Sequence, residues 1–388
     1  MKRNRIIYAI LWILSLAGIS FFGGAVSYGI FYMLTFLPFV LLIYLLFVYF
    51  FFHIYQQIGN KRLVAGHMEP FYFTLKNEYH FGFCSIKVRF FSSFSDISGL
   101  DDDMEYELLP GKGIKKNTQL VCKYRGEYEV GIKNVEITDF LRLFRIRYNN
   151  RETQRVYVRP DLIDLSEIKS LDLSQTMFKN SMVNPIEPDI LVRKYQAGDD
   201  VRQVHWKASA RSGELLVRKM TAQEREGVTI LMGSRRVSDE MAEYLPLENK
   251  MLELTIALTY FFVRKNINVH TLYYMDSALH EEITEGVDGF EGFYEKMSSV
   301  SFSKESDEEK MLIGACEQKG MFTRRSAFLV LHEWSAAAAE TVRMLRENNV
   351  FTLICIVNDD AASMPEEDNN GVKIIRIGTE DDLKGAGI

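Results

Sequence analysis

Val228-Thr229-Ile230-Leu231-Met232 is a run of β-branched and long apolar side chains with no charge and no turn former. Such a run suits a strand buried on both faces. The same kind of run returns at Val269-His270-Thr271-Leu272-Tyr273-Tyr274, at Ala327-Phe328-Leu329-Val330-Leu331 and at Phe351-Thr352-Leu353-Ile354-Cys355-Ile356-Val357. Between these runs, Leu247 to Lys265 places apolar residues at Leu252, Ile256, Leu258, Tyr260, Phe261 and Phe262, and Ala336 to Glu347 reads as a second helix. Glu281 to Lys310 is acidic and weakly periodic, which suggests a surface helix plus a loop. Buried strands alternating with helices predict a doubly wound α/β domain over 226–388, its parallel sheet covered on both faces.

Upstream the period changes. Phe71-Tyr72-Phe73-Thr74-Leu75, Gln119-Leu120-Val121-Cys122-Lys123-Tyr124 and Tyr128-Glu129-Val130-Gly131-Ile132 alternate apolar with polar residues. Turn formers at Lys76-Asn77, Ser98-Gly99, Pro110-Gly111-Lys112-Gly113 and Arg125-Gly126 separate them. Period two with frequent turns predicts a β-sandwich over 61–160. Residues 161–225 read as a linker, marked by Pro185 and Pro188, followed by a dense charged segment.

From Ile6 to Phe52 there is no charged residue, and Gly23-Gly24 divides the segment into two runs, each near the ~20 residues a spanning helix needs. Residues 1–60 are therefore read as a transmembrane helical hairpin in the lipid bilayer. A cleaved signal peptide fits poorly, because a second long apolar run follows directly. Lys2, Arg3 and Arg5 precede the first run, Lys61 and Arg62 follow the second, and the connector is uncharged. Basic flanks at both ends predict a multi-pass membrane protein with both termini and the folded part in the cytoplasm.

The 388 residues are 47% hydrophobic and 25% charged, with a net charge of −6. That acidity argues against nucleic acid as a partner. Cys84, Cys122, Cys316 and Cys355 are widely spaced, which predicts buried free thiols rather than a zinc site or a disulfide framework. No P-loop or Gly-x-Ser-x-Gly is present.

The charged segment holds Arg193, Tyr195, Gly198, Asp199, Asp200, Arg202, His205, Trp206, Lys207, Ser209 and Arg211. Arginine and aspartate at this density predict bidentate pairs around a tight glycine turn, with Trp206 as a large apolar anchor. The reading is a structural clasp, which a partner protein can also recognise. Catalysis is a third reading, weakened because nothing in the sequence makes His205, Ser209 and the aspartates converge.

This spacing resembles the signature of the bacterial domain-of-unknown-function family number fifty-eight. Arg125-Gly126-Glu127-Tyr128 and Asp139-Phe140-Leu141-Arg142-Leu143-Phe144 also resemble the family's Arg-Gly-x-Tyr and Asp-Pro-Phe-Gly-Leu-Phe elements, without the proline and the glycine. The resemblance implies a membrane hairpin, a β-rich segment, the signature and a domain similar to von Willebrand factor type A. Members often lie beside MoxR-type AAA+ ATPases in genomes. The resemblance therefore implies such an ATPase as partner, and a transglutaminase-like membrane protein as a second one.

In a doubly wound sheet, ligands bind beyond the carboxyl ends of the strands. Here that rim carries Ser234, Arg235 and Arg236 after the first buried run and Glu333 after the third. The metal-binding type A domains carry Asp-x-Ser-x-Ser at this place, whereas this chain has Gly233-Ser234-Arg235-Arg236-Val237. The missing carboxylate predicts no metal and no cofactor. The arginines either capture an anionic group or pair with Asp239 and Glu240. The expectation is a non-enzymatic adapter. The alternative is a metal-dependent hydrolase or adhesion domain using the same rim.

Overall fold

The computed structural model describes residues 1–100, 104–150, 152–165, 190–195, 204–220, 227–276, 278–317, 324, 326–348, 350–359 and 372–381, with backbone alone at 190–193, 218–220, 317 and 372. The chain forms two units, Met1–Arg159 and Pro160–Ile388.

The first unit opens with α1 (Lys2–Phe22) and α2 (Ala25–Phe51). Gly23 ends α1 in the left-handed region at φ 56, a backbone state that glycine enters without a Cβ clash. Both helices are long and apolar enough to cross a membrane. Their side chains point outward, with Phe21 and Phe22 each 84% exposed. Surface of this kind is costly in water and ordinary in lipid. Trp12 Nε1 donates to Thr35 Oγ1 across the pair at 3.1 Å.

The last turns of α2 behave differently. Leu41, Leu45 and Val48 are buried, Tyr44 donates to the Gly82 carbonyl at 2.8 Å, and the Phe51 ring lies 4.3 Å from that of Tyr79. At the start of α1, Asn4 Nδ2 donates to the Leu141 carbonyl at 2.9 Å and Arg5 Nε to that of Leu143 at 2.7 Å. The two ends of the hairpin thus meet the following strands together.

Those strands are β1 (His53–Ile58), β2 (Arg62–Val64), β3 (Met68–Lys76), β4 (Phe83–Phe90), β5 (Ser95–Ser98), β6 (Glu105–Leu108), β7 (Gly113–Cys122), β8 (Gly126–Val130), β9 (Ile132–Thr138), β10 (Arg145–Asn149) and β11 (Gln154–Arg159). They form the sheets β1-β3-β7-β5, β10-β9-β4-β6 and β2-β11-β8. Alternation along β3 buries Phe71, Phe73 and Leu75. Phe73 packs 5.6 Å from Phe90 and 6.2 Å from Tyr106 of the second sheet. The Tyr128 hydroxyl donates back to the Tyr124 carbonyl at 2.8 Å and ties down the Arg-Gly-x-Tyr turn.

The turn lacking the family's glycine is built from Asp139. Its carboxylate accepts the backbone N–H of Leu141 at 2.8 Å, Leu143 at 3.3 Å and Phe144 at 2.5 Å. Arg142, standing where the family motif has glycine, takes the left-handed φ of 56. One side chain that satisfies three donors offsets the strain of a non-glycine residue there.

In the second unit, β12 (Ile190–Lys194), α3 (Trp206–Ser212) and β13 (Leu216–Met220) precede a six-stranded sheet. Its elements are β14 (Val228–Met232), α4 (Met241–Val263), β15 (Val269–Met275), β16 (Ala278–Thr284), α5 (Gly286–Ser298), α6 (Glu308–Glu317), β17 (Ser326–Leu331), α7 (Ala336–Glu347), β18 (Phe351–Val357) and β19 (Val372–Ile377). The strand order is β16-β15-β14-β17-β18-β19. All neighbours are parallel except the edge strand β16. Period two then sorts the side chains. Ile230, Met232, Phe328, Val330, Leu353 and Cys355 pack with α4 and α5 on one face, while Leu231, Leu329, Leu331, Ile354 and Ile356 pack with α6 and α7 on the other. This is a doubly wound arrangement.

The segment 281–310 holds the expected surface helix, α5, whose inner side buries Phe290, Phe293 and Met297, and a loop after it, but its first residues supply most of the unexpected edge strand β16. All four cysteines are free. Burial pushes the thiol of Cys122 up to about 11 and that of Cys355 up to about 12.

Candidate functional site

Two places carry the residues singled out by sequence. The first is the charged segment. Its ends pair as the antiparallel ladder β12–β13, with Arg193 opposite Val217. Tyr195 N–H donates to the Leu215 carbonyl and His205 N–H to that of Leu216, each at 2.8 Å. Between them stands α3. His205 Nδ1 accepts the Ala208 N–H at 3.2 Å and caps the helix. The buried Ser209 hydroxyl accepts the Leu216 N–H at 2.8 Å. Both groups are thus engaged by backbone.

Gly198, Asp199, Asp200 and Arg202 lie outside the described residues, as does the Arg193 side chain, so the expected arginine–aspartate pairs lie there too. Trp206 is not the buried anchor the sequence suggested, for it is 61% exposed. Lys207 and Arg211 are exposed beside it and pair with no acid among the described residues. His205, Lys207, Ala208, Arg211 and Ser212 line an open concavity of about 340 Å³.

The second place is the rim where β14 and β17 end side by side, with Met232 opposite Val330 and Gly233 N–H donating to the Val330 carbonyl at 2.8 Å. Ser234 is buried and donates to the Tyr274 carbonyl. Arg235 meets Glu333 at 3.2 Å. Arg236 grips Glu248 at 2.7 and 3.3 Å, and its guanidinium lies 4.0 Å from the Tyr244 ring centroid. The arginines therefore pair with Glu333 and Glu248 rather than with Asp239 and Glu240. Lys304 takes Asp239 at 2.5 Å.

Two further residues come to this rim that were not among the site residues expected from the sequence. Glu308, at the start of α6, is 7% exposed, and His332, directly after β17, is 6% exposed. His332 Nδ1 lies 2.8 Å from Glu308 Oε1, and His332 Nε2 lies 3.6 Å from Glu333 Oε1. The two residues form a buried ion pair at 2.8 Å, and neither atom has any other hydrogen-bond partner. Burial pulls the imidazole toward its neutral form, but Glu308, and behind it Glu333, outweigh burial and hold it above its ordinary value. Behind the rim, burial raises the Glu253 carboxyl despite Lys250 at 3.2 Å and Asn249 at 2.6 Å. Glu308 and His332 could have been found only as titratable residues flanking predicted elements, which is a weak signal.

Residues 191–367 match the model of the family described as "Protein of unknown function DUF58". Over this segment the chain is similar to the DUF58 family. The DUF58 region takes in both α3 and the rim. No curated protein matches the chain. Among solved structures, an alpha-2-macroglobulin from Salmonella aligns at 14% identity and TM-score 0.22 over 28% of this chain and 7% of its own. A cohesin module of a family 33 glycoside hydrolase from Clostridium perfringens aligns at 8% identity and TM-score 0.16 over 27% of this chain and 96% of its own. At such TM-scores neither likeness bears on the fold or the activity of the DUF58 region.

Proposed function

We propose that this protein is a membrane-anchored adapter that grips an acidic surface of another protein through α3. The observation that carries this reading is the exposed Trp206, flanked by exposed Lys207 and Arg211 around the concavity. A large aromatic left in water beside exposed cations has the composition of an interface hot spot. His205 and Ser209, the groups a hydrolytic mechanism would need, are spent on backbone, which favours binding over catalysis.

In this reading the hairpin anchors the module in the bilayer, and the basic residues at both its ends support a cytoplasmic side for the folded part. The α/β unit is read as von Willebrand factor type A-like, supported by the order β16-β15-β14-β17-β18-β19 with an antiparallel edge. The family resemblance points to a MoxR-type AAA+ ATPase as the partner, and to a transglutaminase-like membrane protein as a second one. The test is capture of such an ATPase from a detergent extract, with and without ATP, by the full chain and by Trp206→Ala. The reading requires retention by the former and its loss in the latter. Equal retention by both rejects α3 as the contact.

A further inference from the structure

The loop after β14 has glycine where a carboxylate would serve an ion, yet the space beside Gly233 is not vacant. A Cβ built on Gly233 would stand 2.3 Å from Glu308 Oε1. The carboxylate that the loop lacks is delivered to the same spot by α6, and Gly233 is the residue that admits it. Glu308, His332 and Glu333 each offer a ligand atom, and these atoms lie within 4.8 Å of one another. Glu308 Oε1 and His332 Nδ1 are buried, with only each other at 2.8 Å and no further hydrogen-bond partner. Two such atoms in a folded interior are costly and call for an explanation. Their separation of 2.8 Å is that of an ion pair, and a tetrahedral ion with bonds of about 2.1 Å would need the two atoms to part to about 3.4 Å.

We propose that Glu308, His332 and Glu333 bind a divalent first-row metal ion, zinc or manganese, at the rim of the sheet. An imidazole with two carboxylates is a borderline donor set, better suited to these ions than to calcium or magnesium. Charge decides in the same direction. Two carboxylates face roughly half a positive charge from the start of α6, so the centre is negative once Arg235 leaves. Arg235 now meets Glu333 at 3.2 Å, and its side chain is half exposed, so it is free to swing into solvent. It is a competitor for the ion. The two buried donors fix the inner side, and outward positions fall to water or to an anionic group. None of this depends on α3 or on the adapter reading.

The test uses the full chain in nanodiscs, stripped with a chelator and titrated calorimetrically with zinc, manganese or magnesium. One equivalent of zinc or manganese binds and raises the melting temperature, and magnesium does not compete. Glu308→Gln and His332→Gln each weaken binding at least tenfold. Gly233→Ala keeps all three ligands but displaces the flexible Glu308 carboxylate, and it weakens binding to a similar extent. Arg235→Gln, at an exposed position that does not threaten folding, tightens binding severalfold. Absence of stoichiometric binding overturns the proposal. So does binding that is indifferent to Glu308→Gln and His332→Gln, or an Arg235→Gln variant with unchanged or weaker affinity.

Discussion

Glu136 and Glu308 are both carboxylates withdrawn from water, and their surroundings are opposite. Glu136, on β9, is 1% exposed and faces three arginines, with Arg145 at 2.8 Å, Arg147 at 3.0 Å and Arg89 at 3.3 Å. It is covered by half-exposed guanidinium groups rather than by apolar core, and although burial works against the charge, the arginines hold its carboxyl below the ordinary value. Glu308 has one histidine beside it, 2.8 Å from its Oε1, and that atom has no further partner. A carboxylate with more positive charge than it needs belongs to the architecture. One with less is a place where something else can bind.

The largest expected effect separates the two. Glu136→Gln leaves three guanidinium groups facing a neutral amide. It should cost about 2 kcal/mol, less than the roughly 3 kcal/mol or more of a wholly buried pair, because the arginines are half solvated. Denaturant unfolding of the full chain in detergent measures it. The sign with pH follows from the depressed carboxyl. Its stabilisation is present above the unfolded value of about 4.3 and is lost as pH falls through the lower folded value. The gap between wild type and Glu136→Gln therefore closes in acid. By contrast, Glu308→Gln in chelator-stripped protein leaves a single partner, His332, which can give up its proton rather than stay charged, so a smaller loss of about 1 kcal/mol is expected in the same assay. A loss as large as that of Glu136→Gln would erase the distinction.

Smaller effects probe the local turns. Arg142→Gly relieves the left-handed backbone strain of about 1 kcal/mol. It also gives up an exposed pair with Glu105 at 2.8 Å, so a net stabilisation of about 0.5 kcal/mol is expected by thermal melting. Trp206→Ala should leave stability within about 0.5 kcal/mol, since the indole is mostly in water. A loss of 3 kcal/mol would show that the ring is buried.

Much of the α/β unit was legible because buried strands announce themselves as apolar runs. The runs at 228–232 and 351–357 coincide with β14 and β18, and the helix at 336–347 with α7. The rest was hidden for physical reasons. β16 is an edge strand with mixed exposure and shows no apolar run. α4 begins at Met241, ahead of Pro246, which reads as a reason to start the helix later. β19 (Val372–Ile377) carries Lys373 and Arg376 and did not read as a strand. At the rim, Ser234, Arg235, Arg236 and Glu333 were legible from their position after strands. Glu308 was not, because it reaches Gly233 only through the packing of α6 against the sheet. The exposure of Trp206 was equally invisible, since a tryptophan among charges reads the same whether it anchors a corner or awaits a partner.

The proposed grip of α3 on an acidic protein partner is tested most directly by affinity measured on the intact chain. Full-length protein in nanodiscs, immobilised and exposed to a purified MoxR-type AAA+ ATPase, should bind it reversibly. Trp206→Ala and the double charge reversal Lys207→Glu with Arg211→Glu should each lower affinity at least tenfold while the melting temperature stays put. An affinity unmoved by either variant, or no binding by the wild type, contradicts the claim.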